Sequence, residues 1–334
     1  MRPTVVPSPP DVLVLGDANP DLVLRGDVRP RFGQSEQLLT AADLVLGGSG
    51  AITAHALARL GVRTALLAAV GDDLFGADVR ARLAAAGVDV GSLITVPEPT
   101  GLSVVLSDGA SRSTLTHIGA LDAPPPPWQL PGDIPAARHL HVSSYFLQRR
   151  RAAALPDLLR LARTAGLTIS LDTNLDPGGR FDGLAAVLPA VDLLLINADE
   201  ALALARALTS YDPGDDPGYA AELLAVHTST VVVKDGPNGA LLASDHTVLH
   251  APGHAVDLVD TTGAGDTFNA GYLAAFLDGR PPRECLTWAV FAGAAAVTAS
   301  GGTAGQPTRS QLLEAMRAQA VSQSWPTQRM PTSR

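Results

Sequence analysis

The chain has 334 residues, 46% hydrophobic and 17% charged, a balance that builds a folded protein with a sizeable core and excludes a disordered or fibrous one. A net charge of −9, from 33 acidic and 24 basic residues, argues against nucleic acid as a partner. The single cysteine, Cys285, excludes an intrachain disulfide and a cysteine-built zinc site, and fits a reducing, cytoplasmic setting.

Met1–Pro10 has one arginine and no apolar run, so it reads as a short tail and not as a secretory signal. Asp11–Leu15 is a buried strand that ends at Gly16-Asp17-Ala18-Asn19-Pro20-Asp21. Asn19 and Asp21 can hydrogen-bond a polyol there, or serve a turn around Pro20. Residues 22–46 are too long for a tight connection and read as strands of a small flap. Gly47-Gly48-Ser49-Gly50 then opens a helix over 51–60, stopped by Gly61. Gly48-x-Gly50 with Asp72 downstream is a partial match to a dinucleotide fingerprint, but Thr53 stands at the third glycine. A glycine turn that lets a small ligand approach the backbone fits equally well.

A strand over 64–70 and a helix over 72–86 follow. Residues 102–106 and 113–117 flank Asp108-Gly109 and read as a hairpin inside a second β-rich insertion, 95–120. Pro124–Pro127 is a stiff extended connector. From there strands at 139–142, 167–171, 191–196, 230–234 and 240–243 alternate with helices at 149–165, 182–190 and beyond 197, with a polar loop at 211–218. Helices at 267–278, 285–297 and 308–320 close the chain, and 321–334 reads as a tail. Repeated βα units predict an α/β fold with a mostly parallel sheet covered by helices on both faces. The longest apolar run, Trp288–Val297, is ten residues, too short to cross a bilayer.

Polar residues gather at the strand ends: Asn19 and Asp21, Asp172 and Asn174, Asn197 and Glu200, and Lys234. In a parallel sheet these ends share one edge and can face one cleft. Asn197 and Glu200, three apart on a helix, suit a magnesium ion that keeps most of its waters, and equally suit an N-cap with its capping-box partner. Asp260-Thr261-Thr262-Gly263-Ala264-Gly265-Asp266 feeds a further helix. Small residues there let a phosphate lie against helix N–H groups, while Asp266 would repel it unless its task is to take a proton from an attacking hydroxyl. A capping Asp after a glycine-rich turn is the plainer reading. No histidine spacing suited to a metal, no G-x-S-x-G and no Walker A string occurs.

Taken together these stretches resemble the ribokinase-like (PfkB) carbohydrate kinases over about residues 11–318. Asp260–Leu273 is similar to that family's C-terminal signature, Gly16–Asp21 to its sugar-binding strand end, and Gly47–Gly50 to its N-terminal glycine motif. Asn197–Glu200 resembles its N-x-x-E element, and Lys234–Gly239 its nucleotide-side loop. The resemblance implies a three-layer sandwich with a small β lid made of 22–46 and 95–120. It implies ATP-dependent phosphorylation of a sugar or sugar acid of ribose, fructose or ketodeoxygluconate type. Asp266 would be the base, and the backbone of Gly263, Ala264 and Gly265 the anion hole. Asn19, Asp21, Gly47, Gly48 and Ser49 would hold the acceptor; Asn197, Lys234, Gly236, Gly239, Thr298 and Gly301 would flank the nucleotide. Asn197 and Glu200 would organise Mg2+ through water, and Asp260 and Thr262 a potassium ion. A homodimer through the lid is a further implication, with neither nucleic acid nor membrane as a partner.

Two positions depart from the family pattern. Ile52 stands where an Asn contacts the sugar, and Asp176 where an Arg is expected, with Arg180 near enough in sequence to substitute. A nucleoside acceptor, with Phe32, Trp128 or Tyr145 stacking on the base, and a non-catalytic nucleotide- or sugar-binding protein are the competing readings.

Overall fold

The computed structural model describes residues 9–324 except 34–35, 109–111, 125–126, 128, 175, 177 and 246. The chain begins with β1 (Val12–Leu15), β2 (Asn19–Gly26), β3 (Leu39–Gly47), α1 (Ser49–Arg59), β4 (Thr64–Gly71) and α2 (Leu74–Ala85). It continues through β5 (Leu93–Val96), β6 (Leu102–Ser107), β7 (Arg112–His117), β8 (His139–Val142), α3 (Arg149–Thr164), β9 (Thr168–Leu171), α4 (Leu184–Val187), β10 (Leu193–Asn197) and α5 (Ala198–Leu208). It ends with α6 (Pro217–Leu224), β11 (Thr230–Lys234), β12 (Gly239–Ser244), β13 (Thr247–Pro252), α7 (Ala264–Leu277), α8 (Pro282–Ala296) and α9 (Arg309–Ser324).

Nine strands form one sheet in the order β13-β12-β11-β10-β9-β8-β1-β4-β5, parallel from β11 to β5 and antiparallel at β12 and β13. The inner strands, such as β1, β4, β8 and β10, are buried on both faces, so successive side chains feed two cores. Val12 and Val14 point into the core with Leu57 of α1 and Leu273 of α7, while Leu13 and Leu15 point into the core with Leu159 of α3 and Leu204 of α5. Helices on both faces of the sheet give the three-layer α/β sandwich.

A second sheet, β3-β2-β6-β7, is built from the two β-rich insertions. β5 pairs with β4 in the large sheet, so the smaller sheet takes up the second insertion only from Leu102. Gly109 and Ala110 of the expected hairpin turn, and part of the 124–127 connector, lie outside the described residues, but β6 and β7 pair antiparallel from Leu102↔His117 to Ser107↔Arg112.

Differences from expectation lie at element ends. The loop at 211–218 runs directly into α6, because Asp216 accepts from the Gly218 and Tyr219 amides at 2.8 and 3.2 Å and Pro217 follows it. The 182–190 helix is one short α-turn and a 3-10 turn, and α9 runs to Ser324 where a tail was expected from 321. No helix among the described residues is long and apolar enough to cross a membrane.

Candidate functional site

The C-terminal ends of β1, β8, β9, β10 and β11 open on one edge of the sheet, where β1 lies between β4 and β8. β1 is followed by Asp17, buried, whose Oδ1 accepts the Gly50 amide at 2.9 Å and whose carbonyl accepts the Ala51 amide at 2.9 Å. This ties the start of α1 to the end of β1. Gly50 has to be glycine, since a Cβ there would lie 2.8 Å from the Asp17 backbone. Asn19 and Asp21 are not in a turn after β1 but on strand β2 of the smaller sheet, both buried. The Asn19 amide donates to Asp21 Oδ1 at 2.9 Å. Burial and the nearby Asp17 carboxylate push Asp21 up to about 6, against hydrogen bonds from Asn19 and Ser103. Gly47 leaves the space that Asp21 fills, because a Cβ there would lie 2.0 Å from Asp21 Oδ1.

Gly263 is left-handed, with φ 71°, and opens α7. A Cβ on it would sit 2.5 Å from the Gly302 carbonyl, so the turn into α7 and the loop after α8 are pressed together. Thr267 N–H bonds to the Gly263 carbonyl at 2.9 Å and Ala264 N–H to the Thr261 carbonyl at 3.3 Å. Among the described residues the Gly263, Gly265 and Asp266 amides have no backbone acceptor. The free amides of this turn are thus Gly263, Gly265 and Asp266, with Ala264 partly engaged.

Asp266 rises from the first turn of α7, half-buried. Burial and the Asp172 carboxylate push it up to about 7, against a hydrogen bond from Ser49 and the charge of Lys234. Ser49 Oγ also accepts from Asn174 Nδ2 at 3.0 Å, so Ser49 touches the carboxylate on one side and the end of β9 on the other.

Lys234 lies under this turn, its Nζ 3.5 Å from where a Gly265 Cβ would be. It is half-buried and engaged within the chain, donating to Asp172 Oδ2 at 2.7 Å and to Asn269 Oδ1 at 3.4 Å, while Asn269 Nδ2 also donates to Asp172. Burial works against the Lys234 charge, but Asp172, Glu200 and Asp266 outweigh it and raise its pKa. Asp172, burial notwithstanding, is held below the usual carboxylate range by Lys234 and Asn269.

Asn197 and Glu200 form a full capping box at the start of α5, Asn197 N donating to Glu200 Oε2 at 2.9 Å and Glu200 N to Asn197 Oδ1 at 2.8 Å. Burial and Asp172 raise Glu200 above the usual range. A buried carboxylate with one oxygen engaged in the cap fits a water-mediated Mg2+ contact. No cluster of three or more His, Cys, Asp or Glu among the described residues is gathered to hold a metal directly.

Gly236 (φ 51°) and Gly239 (φ 102°) bracket the turn between β11 and β12, and a Cβ on Gly239 would meet the Ala251 carbonyl at 2.1 Å. The Thr298 hydroxyl bonds back to the Ala295 carbonyl at 2.8 Å and so finishes α8. Gly301 N donates to Asp260 Oδ2 at 2.9 Å, and Asp260 Oδ1 accepts from Thr262 N and Oγ1 at 2.9 and 2.7 Å. Arg25 and Arg112 of the smaller sheet meet these loops across a cavity of about 540 Å³.

The two departures have structural accounts. Ile52 is buried, and a Cβ on Gly302 would lie 2.7 Å from its Cδ1, so it packs the site from behind. Asp176 accepts three amides of its own loop, from Gly178, Arg180 and Phe181, each at 2.8 Å. Arg180 does not reach back to the site but pairs with Asp182 at 2.8 Å in solvent. Of the rings proposed for a base, Phe32 is fully exposed, Tyr145 is buried edge-on against Phe146, and Trp128 lies outside the described residues. Asp72, the acid of the dinucleotide reading, is exposed beside Asp73, which caps α2. Sequence reasoning passed over Asp17 and Arg151. The latter is buried and donates to the Gly16 carbonyl at 2.7 Å; burial pushes it down to about 10 against the pull of Asp17. The Gly16-Asp17 pair at a strand end was the available signal for Asp17; an arginine on a distant helix gave none.

The family described as pfkB family carbohydrate kinase matches residues 9–309. The ATP-dependent ribose-1-phosphate kinase of Halopiger xanaduensis is 34% identical over 85% of this chain and 90% of its own. The ribokinase of Bacillus subtilis is 28% identical over 91% and 98%. The ribokinase of Cryptococcus neoformans, solved in complex with ADP, superposes with a TM-score of 0.77 at 25% identity, covering 92% of this chain and all of that one.

Proposed function

Because the chain belongs to the pfkB family of carbohydrate kinases, phosphotransferases acting on an alcohol group, we propose that it moves the γ-phosphoryl group of ATP to a hydroxyl of a small sugar or sugar acid. The observation that carries this is Asp266. It is a carboxylate pushed up to about 7, set in the first turn of α7 beside free backbone amides, hydrogen-bonded by Ser49 and within reach of the charge of Lys234. In this reading Asp266 takes the hydroxyl proton as the oxygen attacks phosphorus, while the amides of Gly263, Gly265 and Asp266 hydrogen-bond the transferring phosphoryl oxygens. Lys234 adds a fixed positive charge beneath the turn, with no direct ligand contact required. Asn19 and Asp21 bind acceptor hydroxyls from the lid strand, and Ser49 orients Asp266. Asn197 and Glu200 would hold Mg2+ through water; such an ion supplies charge neutralisation on the nucleotide phosphates.

The relatives act on ribose 1-phosphate, ribose, 2-dehydro-3-deoxygluconate and fructose by their names, which sets the acceptor panel. The partly exposed Leu39 and Leu44 of β3, with Leu115 of β7, support pairing of two lids in a homodimer, and a single buried cysteine suits a cytosolic enzyme. The test is ADP release with Mg-ATP across that panel for the wild type and Asp266→Asn. One acceptor should give turnover far above the acceptor-free rate, and Asp266→Asn should lower it by at least about 10³-fold while ATP still binds. Near-normal turnover in the variant would sink the mechanism.

A further inference from the structure

The family resemblance assigns Asp260 and Thr262 to a potassium ion, but the oxygens that would hold it are engaged within the chain. Asp260 Oδ1 takes both the amide and the hydroxyl of Thr262, and Oδ2 takes the Gly301 amide. A second set of groups reaches the same loops from the lid. Arg25 of β2 donates to Ser300 Oγ and lies 4.0 Å from Asp260 Oδ2, its other arm paired with Asp43 of β3. Arg112 of β7 donates to Thr262 Oγ1 at 3.1 Å. A monovalent ion among these groups would meet like charge from two guanidinium groups.

We propose that Arg25 and Arg112 take the place of the monovalent cation, so that phosphoryl transfer by this chain needs no potassium and depends on the lid arginines instead. The proposal rests on the kinase reading above. Asp260 and Thr262 stand one turn before the free amides of α7, so a positive charge beside them favours anion binding there. Arg25 and Arg112 belong to the four-stranded sheet, whereas Asp260, Thr262 and Ser300 belong to the loops of the large layer. The charge therefore comes from the small sheet and not from the loops that carry Asp260 and Thr262.

The experiment compares the full chain in potassium, sodium and tetramethylammonium chloride at equal ionic strength, by turnover and by Tm. Turnover should agree among the three salts within about twofold, the range of non-specific screening, and Tm should show no potassium-specific rise. Arg25→Met should lose about 100-fold in turnover, as expected on removing one charged donor from a transition-state site, with Arg25→Lys recovering part of it. A potassium-specific rise in wild-type Tm, a wild-type turnover stimulated about tenfold or more by potassium, or wild-type turnover in Arg25→Met would each overturn the proposal. Absence of phosphoryl transfer in every salt would count against the kinase reading alone, because the Tm comparison still decides the cation question.

Discussion

Asp266 carries two opposed demands, since the burial and the neighbouring Asp172 that suit a base near neutral pH also make its charge costly to the fold. Its folded pKa, about 7, stands above the ordinary 3.8, so the folded protein favours the protonated form. The stability this gives is fully present below the unfolded pKa and is lost as pH rises through 7. Activity runs the other way, because only the ionised carboxylate accepts a proton. kcat/KM should therefore climb with pH through an apparent pKa near 7, and a flat profile between pH 5 and 8 would contradict the assignment. Asp266→Asn should melt higher than the wild type at pH 8, on the order of 2 °C, with the gap narrowing on acidification. Differential scanning calorimetry at the two ends of that range reads the sign directly. Asp266 and Gly263 were legible in sequence because their chemistry is local, a turn and the first residues of a helix. Ser49, which hydrogen-bonds Asp266, lies more than two hundred residues earlier and could be read only as a sugar contact. Asp21 was read as a polar residue following the first strand, and its own strand was not foreseen, since Pro20 looks like turn chemistry and is instead paired with Leu46 across β2 and β3.

At the scale of elements, Lys234 of β11, Asp172 after β9 and Asn269 of α7 make one buried polar link between sheet and helix. It fixes α7, and with it Asp266, against the sheet edge. Removing one member strands a buried charge, which costs far more than the pair contributes. Lys234→Met should lower stability by about 3–5 kcal/mol, whereas Lys234→Met combined with Asp172→Asn should lose much less than the two single changes summed, as read by urea unfolding. Additive losses would mean that the pair is not coupled. The strand that supplies Lys234 was evident from its valine run, but the direction of the side chain was not. A lysine at a strand end next to a glycine-rich loop reads as a phosphate ligand until Asp172, sixty-two positions away, is seen to claim it. α6 and β13 were missed for similar reasons: each is short, and each is stabilised by contacts with a neighbouring element more than by its own pattern.

The whole molecule divides its work between two sheets. The large sheet holds the turn into α7, the capping box of α5 and the β11–β12 turn in a rigid frame buried on both faces. The small sheet brings Asn19, Asp21, Arg25 and Arg112 to the cleft on β2 and β7. Along β2, Asp21, Val23 and Arg25 fall on one face, and β6 and β7 continue it with Ser103, Val105, Ser107 and Arg112, so that face of the small sheet grades from polar through apolar to cationic. In the proposed reading a sugar held by Asp21 and Asn19 would tie the small sheet to the core through its own hydroxyls, on the same sheet whose Arg112 and Arg25 bond Thr262 and Ser300. Acceptor should therefore slow amide hydrogen exchange across β2, β3, β6 and β7, including segments that do not touch it. Nucleotide alone should protect the β11–β12 turn and the loop after α8, and leave the lid strands exchanging as in the free protein. Mass-spectrometric exchange with each ligand singly and with both separates the two patterns. Lid protection by nucleotide alone would mean that the small sheet answers to the phosphate side of the cleft, and that the arginines and not the sugar contacts draw it shut.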